Sequence, residues 1–402
     1  MDTAAAVRKL QELRALMDGH TSRSEEQRIL TLLQEATAAE LNHLLLNVDV
    51  DALLGDVDDR MLGPDHLTTL LDLLCVRRAR ELGLPVRASL VAALQKGHTP
   101  RQAEQRVKEL FLGLHGRELT DFKNLLDGRG SSHDLQQLLF EDVDDEALRR
   151  DILEHLRREA EAVPTGENKV LSDIDDTFLA NWKDERYPKG TVYPGVLQFY
   201  RELDRGPGVL PGREGDLTFI SARPMDPLGL IEDKTLATLR AHGVGPAVML
   251  SGAFTHLLGN ARIAEKKFEN FSRYVQLYPE YGFVFTGDSG QGDVLFGEQM
   301  LAAYPEAVRA VFIHDVVDTP EPVRQQWRDK RIFFFDTYVG AAVEAYTVGV
   351  IARDGVARVV QAAREELERV PFTSEAQRQA RRADLERDVR RAEVPGGGTP
   401  TR

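Results

Sequence analysis

The chain has 402 residues, more than one typical domain needs, and its 42% apolar and 29% charged residues describe an ordinary soluble protein with ample material for a core. A formal charge of −14 argues against a general nucleic-acid binder, which holds phosphate backbones through clustered Lys and Arg, and against simple attraction to anionic lipid. The single cysteine, Cys75, excludes an intramolecular disulfide and a cysteine-based zinc site, and within "LLDLLCVRR" it reads as a small core residue.

The opening stretch "MDTAAAVRKLQELRALMDG" carries charges throughout and has no apolar signal-peptide core, and no later run reaches transmembrane length, so a cytoplasmic location is expected. Residues 1–160 read as an all-α domain, with apolar positions at three- and four-residue spacing, as in Ile29, Leu32, Leu33 and again in Val107, Leu110, Phe111, Leu114. This half repeats itself in two units of roughly 75 residues. "GHTSRSEEQRILTLL" from Gly19 is echoed by "GHTPRQAEQRVKELF" from Gly97, and "LLGDVDDRML" by "LLFEDVDDEAL". Thr99-Pro100-Arg101-Gln102 fits a helix start, with Thr as cap and Pro at the first helical position. The acids Asp56/Asp58/Asp59 and Asp142/Asp144/Asp145 could bind calcium, but Asp before a helix is also a common cap. His20 and His98 read as turn residues, since equivalent positions of two repeats sit apart rather than sharing a metal.

Residues 161–168, within "EAVPTGENKV", form a linker. Over 169–360 short apolar runs then alternate with helical stretches: "KVLSDID", "DLTFISA", "PAVMLSG", "GFVFTGD", "RAVFIHD" and "RIFFFDT". Runs so continuously apolar and so rich in Val, Ile and Phe predict strands buried on both faces, and the helices between them predict a doubly wound parallel sheet. A charged helix is expected over 361–392 and a disordered tail over 393–402.

Ligands of such sheets bind at the carboxyl ends of strands, which is where the sequence gathers its acids. "SDIDDT" follows the first strand, and Asp173 and Asp175 point the same way if extended backbone continues through them. Two carboxylates facing one spot need a cation or a shared proton. The second strand ends in Ser221, a hydroxyl able to hold a phosphate oxygen, and "FVFTGDSGQGD" supplies Asp288 and Asp293. Between them "ARIAEKKFENF" offers Lys266 and Lys267. Asp, Asp, hydroxyl, Lys and Asp suffice for metal-assisted phosphoryl transfer: a carboxylate attacks phosphorus, oxygen-ligated Mg²⁺ screens charge, and Lys and Ser steady the transferred group.

These motifs, in this order, resemble those of the haloacid dehalogenase (HAD) superfamily. More narrowly, "SDIDDT", "SARP", "KKFENF", "YPEYGFVFTGDSGQGD" and "FFFDTYVGAA" resemble the catalytic domain of actin-patch-type phosphatidate phosphatases, relatives of the lipins, over roughly residues 165–350. The resemblance implies an α/β, HAD-like fold with a minimal cap behind the helical repeat domain. It implies Asp173 as the nucleophile forming an aspartyl-phosphate, and Asp175 as general acid and then base. Mg²⁺ is expected on Asp173, the Asp175 carbonyl and Asp288, with Asp293 nearby. Lys267, with Lys266 as the alternative, is the expected catalytic lysine, and Thr177, Ser221 and Arg223 are the substrate-binding candidates.

Trp182, Lys183 and Tyr187 in the segment after the first motif could line an entrance or form a packed flap. The spacing from Thr177 to Ser221 leaves no room for a large lid, which suits a bulky phosphomonoester such as a lipid headgroup. The helical repeat has a loose likeness to annexin repeats, which would add peripheral, calcium-dependent membrane contact through that domain. The expected function is therefore a Mg²⁺-dependent phosphatase acting on phosphatidate or a related lipid phosphomonoester. Two alternatives are a HAD phosphatase for a soluble or protein-bound phosphomonoester, and a partner-binding scaffold with a vestigial phosphatase domain.

Overall fold

The computed structural model describes residues 3–19, 21–57, 65–95, 101–127, 134–163, 166–208, 217–224, 230–245, 247–252 and 259–393, with the side chains at 3, 221–224, 230–233 and 251–252 outside that description. The chain divides into two compact units, one ending at Val163 and the other made of the residues that follow.

The described part of the first unit is helical. Ser22 and Thr37 each begin a helix, Arg23–Glu35 and Ala38–Leu46, through a reciprocal capping box with Glu25 and Glu40. The positions paired by the two sequence copies are buried in both helices: Glu26, Ile29, Leu32 and Leu33 in Arg23–Glu35, and Glu104, Val107, Leu110 and Phe111 in Arg101–Leu112. The two glutamates have different partners. Glu26 meets His66 Nδ1 at 2.7 Å, whereas Glu104 accepts the backbone N–H groups of Asp144 and Asp145 at 2.7 and 3.2 Å. In the second acidic triplet, Asp142 accepts from Gln95 Nε2 at 2.6 Å, and Asp145 caps the helix Glu146–Ala162. Asp58, Asp59, His20, His98, Thr99 and Pro100 lie outside the described residues.

All six apolar runs of the second unit are strands: β1 (Asn168–Ser172), β2 (Leu217–Pro224), β3 (Val248–Gly252), β4 (Gly282–Asp288), β5 (Val308–His314) and β6 (Ile332–Phe335). They form one parallel sheet in the order β3-β2-β1-β4-β5-β6. The order reverses at β1, so the crevice beyond the carboxyl ends of β1 and β4 is where a doubly wound sheet takes its ligand. Every residue of β1 and β4 is buried, as strands with both faces covered must be.

The carboxy-terminal part differs from the sequence expectation. Two helices, Arg353–Arg369 and Glu375–Glu393, replace the single charged helix expected over 361–392, and the boundary drawn at 360 falls inside the first. Val356, Val359, Ala363, Leu367, Leu385 and Val389 are buried in the same core as Phe199, Phe312 and Tyr338. Gly195 shows how close the packing is: its φ is +89°, and a Cβ there would lie 3.0 Å from that of Ala363. Residues 394–402, including most of the expected tail, lie outside the described residues.

Candidate active site

Asp173 continues the backbone of β1, donating its N–H to the Thr286 carbonyl of β4 at 2.9 Å. Its carboxylate Oδ1 accepts from Lys267 Nζ at 2.7 Å, and the same ammonium donates to Asp293 Oδ1 at 2.6 Å. Lys267 reaches this point from the helix Asn260–Leu277, and Asp293 is the first residue of the helix Asp293–Ala303. Asp293 Oδ2 accepts the N–H of Asp288, the last residue of β4, at 3.2 Å. Asp288 is fixed in turn by the Gly290 N–H on its Oδ1 at 2.7 Å. Gly287 lets these groups meet, since a Cβ on it would fall 2.6 Å from the Asp293 side chain. Lys266, by contrast, points away and pairs with Glu269 at 2.6 Å.

Asp173, Asp288 and Asp293 are buried and bring carboxylate oxygens within 4.8 Å of one another. One lysine faces three carboxylates, leaving an excess of negative charge in a place water does not screen. Burial therefore pushes the Asp173 carboxyl up to about 7, against the lowering effect of Lys267. Asp288 is also held well above the carboxylate range, by burial and then by the charges of Asp293 and Asp173. Burial disfavours the Lys267 ammonium, but Asp173 and Asp293 overcome it and hold its proton more tightly than usual. A divalent cation with oxygen ligands fits this donor set, because it supplies the missing positive charge to hard carboxylate oxygens.

Asp175 is half-buried, and its Oδ1 accepts from Asn181 Nδ2 at 2.7 Å. Thr177 is buried; its carbonyl accepts from the Tyr338 hydroxyl at 2.6 Å, and its Oγ1 has no hydrogen-bond partner. Ser221 and Arg223 belong to the carboxyl-terminal end of β2, beside β1, and their side chains are not described.

Asp176, the acid with no assigned task in the sequence, is fully buried at a φ of +58°. Its carboxylate receives the backbone N–H groups of Asn181, Trp182 and Lys183, the last at 2.6 Å, and so anchors the short flap between β1 and the helix Val196–Arg205. The flap closes on itself through Ala180 N–H to the Thr191 carbonyl at 2.9 Å and Tyr193 N–H to that of Phe178 at 3.1 Å. Tyr187 is packed in it against Tyr193 and Phe372, whereas Trp182 and Lys183 are exposed.

Beneath the loop that follows Asp173 lies a support that no sequence motif signals. His314 Nδ1 donates to the Asp176 carbonyl at 2.8 Å, and Arg186 Nη2 lies 3.2 Å from its Nε2. Arg186 makes a two-pronged pair with Asp184, which also accepts from the Tyr193 hydroxyl at 2.9 Å. Burial lowers His314 to about 4, with the Arg186 charge adding to it, so the ring is neutral. Burial alone would raise the Asp184 carboxyl, but the Arg186 pair holds it below the ordinary value.

Residues 168–315 match the family model of the phosphatidate phosphatase APP1 catalytic domain. The APP1-type segment runs from β1 to the residue after β5 and contains Asp173, Lys267, Asp288 and Asp293. The likeness to lipin-related phosphatases read from the motifs holds over it, while the helical unit, β6 and the two C-terminal helices lie outside the match. No curated protein and no solved structure matches the chain significantly.

Proposed function

We propose that the protein is a Mg²⁺-dependent phosphatase that hydrolyses phosphatidate or a related lipid phosphomonoester through an aspartyl-phosphate on Asp173. The observation that carries this reading is the buried bridge of Lys267 between Asp173 and Asp293, beside Asp288, at the switch point of an APP1-type domain. Asp173, Asp288 and Asp293 would hold Mg²⁺, with the Asp175 carbonyl as a further oxygen donor. Bound there, the ion would neutralise charge on the transferred phosphoryl group.

In the first step an Asp173 oxygen forms a bond to phosphorus, and the bond from phosphorus to the leaving oxygen breaks. Asp175 as a carboxylic acid gives that oxygen its proton, and Asn181 orients the carboxyl for this. In the second step water attacks phosphorus, Asp175 takes its proton, and phosphate leaves with Asp173 restored as carboxylate. Lys267 opposes the effect of burial on the Asp173 carboxyl, favouring its ionised form, and aims it, and Ser221, Arg223 and Thr177 are the groups for the phosphoryl oxygens.

The family match supports this substrate class, as does the small flap, which leaves a bulky headgroup ester room to approach. Because phosphatidate resides in bilayers, this reading carries a peripheral membrane contact with it. No described helix is long and apolar enough to cross a membrane. The test is phosphate release from phosphatidate in mixed micelles, beside a soluble aryl phosphate, with Mg²⁺ and with chelator. Mg²⁺-dependent release from phosphatidate is expected. Release from the aryl ester alone would keep the chemistry and remove the lipid, and no release from either would leave the scaffold reading.

A further inference from the structure

The helical unit carries a second convergence of metal-ligating side chains: His115, His155 and Glu159. His155 and Glu159 stand one turn apart on the helix Glu146–Ala162 and so share a face. His115 comes from the turn before the helix Gly116–Asp127 and brings its Nδ1 to 3.0 Å from Glu159 Oε1. His155 Nδ1 lies 4.0 Å from the same oxygen, and the three ligand atoms lie within 4.8 Å of one another. Bonds of about 2.0–2.1 Å to a tetrahedral ion put neighbouring ligand atoms about 3.3 Å apart, so side-chain shifts of about 1 Å complete the site.

The outer atoms of two ligands are already held. His155 is buried and donates its Nε2–H to the Leu114 carbonyl at 2.9 Å, which leaves Nδ1, on the side of Glu159, as the nitrogen available to a metal. The second Glu159 oxygen accepts the Gly116 N–H at 2.9 Å. Ligating imidazoles and carboxylates are oriented in this manner, by a carbonyl or N–H behind the ligand atom. The remaining contact, His115 to Glu159, is a hydrogen bond whose proton a cation would replace.

Two imidazole nitrogens and one carboxylate oxygen are a zinc donor set, whereas Mg²⁺ and Ca²⁺ favour oxygen throughout. We propose that His115, His155 and Glu159 form a zinc site in the helical unit, tying the start of the helix Gly116–Asp127 to the helix Glu146–Ala162. The His115 side chain is 69% exposed, so the fourth position opens to solvent and takes water.

The site is tested on the full chain by titrating Zn²⁺ against a chromophoric chelator in excess Mg²⁺, and by recording visible absorption with Co²⁺ in place of zinc. Wild type is expected to bind one Zn²⁺ and to give the intense Co²⁺ bands of a low-coordinate nitrogen-containing site. His115→Ala, which removes an exposed side chain, and His155→Gln, which keeps a donor to Leu114, should each weaken Zn²⁺ by more than ~100-fold. Asp288→Asn should leave this zinc in place, and circular dichroism checks that each variant is folded. Absence of zinc uptake by wild type, or uptake unchanged in folded His115→Ala, would overturn the site and leave a hydrogen-bonded cluster. Uptake lost in Asp288→Asn but kept in both histidine variants would overturn it equally, by assigning the zinc to the carboxylates.

Discussion

Lys267 and Lys266 are neighbours in sequence with opposite surroundings, and the difference gives the sharpest test at the scale of single residues. Lys267 is buried between Asp173 and Asp293, while Lys266 is partly exposed and pairs with Glu269. Lys267→Ala should lower kcat by roughly 10²–10³-fold, as loss of one preorganised charge does, with Lys266→Ala within a few-fold of wild type. Equal losses in initial-rate measurements would contradict the assignment. His314 supplies a pH prediction. Its folded value of about 4 lies below the ordinary 6.5, so the unfolded chain takes up a proton that the folded chain refuses. Its contribution to stability is complete above pH 6.5 and is lost as the pH falls towards 4, by about 2 kcal/mol between pH 7 and pH 5. Asp173 and Asp288, raised by burial, act in the opposite direction, so urea unfolding of wild type is compared with His314→Gln at both pH values. The variant should lose less stability on acidification, and parallel curves would refute the role of a buried neutral ring. The cluster itself was legible in sequence because Asp173 follows one apolar strand, Asp288 ends another and Asp293 opens the helix after it. The Asp184–Arg186–His314 support was not, because Arg186 and His314 are brought together only by the sheet.

At the scale of elements, the six strands were legible because burial on both faces makes each a continuous apolar run. The C-terminal helices were only half legible. "AQRQARRADLERDVRRAE" reads as a charged helix with no packed face, and Leu385 and Val389 are nevertheless buried while Asp388 accepts from the Thr337 hydroxyl at 2.7 Å. Much of the remaining charge is matched locally, as in Arg391 to Glu344 at 2.8 Å and Arg387 to Asp336 at 3.0 Å. Two apolar residues four positions apart, among many charges, leave too weak a period to reveal a packed face. Leu385→Ala should therefore cost about 2–5 kcal/mol in urea unfolding, the range for emptying a core site. A cost near zero would mean that this helix does not belong to the core.

At the scale of the whole molecule, the chain pairs a helical unit with a domain whose sheet reverses order at β1, and the chemistry gathers at that reversal. The formal charge of −14 gives no general attraction to an anionic bilayer, so the proposed lipid substrate would have to be recognised locally, at the carboxyl end of the sheet. The proposed mechanism requires phosphorylation of Asp173, so the decisive measurement traps that bond. With an aryl phosphate, whose phenolate leaves without a proton, Asp175→Asn should still form the acyl phosphate while lacking the base that hydrolyses it. The variant is mixed with ³²P-labelled substrate and Mg²⁺, quenched in acid and mapped by peptide. Hydroxylamine-sensitive label is expected on the peptide containing Asp173, and none in the doubly substituted Asp173→Asn, Asp175→Asn protein. Label on another residue, or an Asp173→Asn enzyme that still releases phosphate at the wild-type rate, would contradict the mechanism.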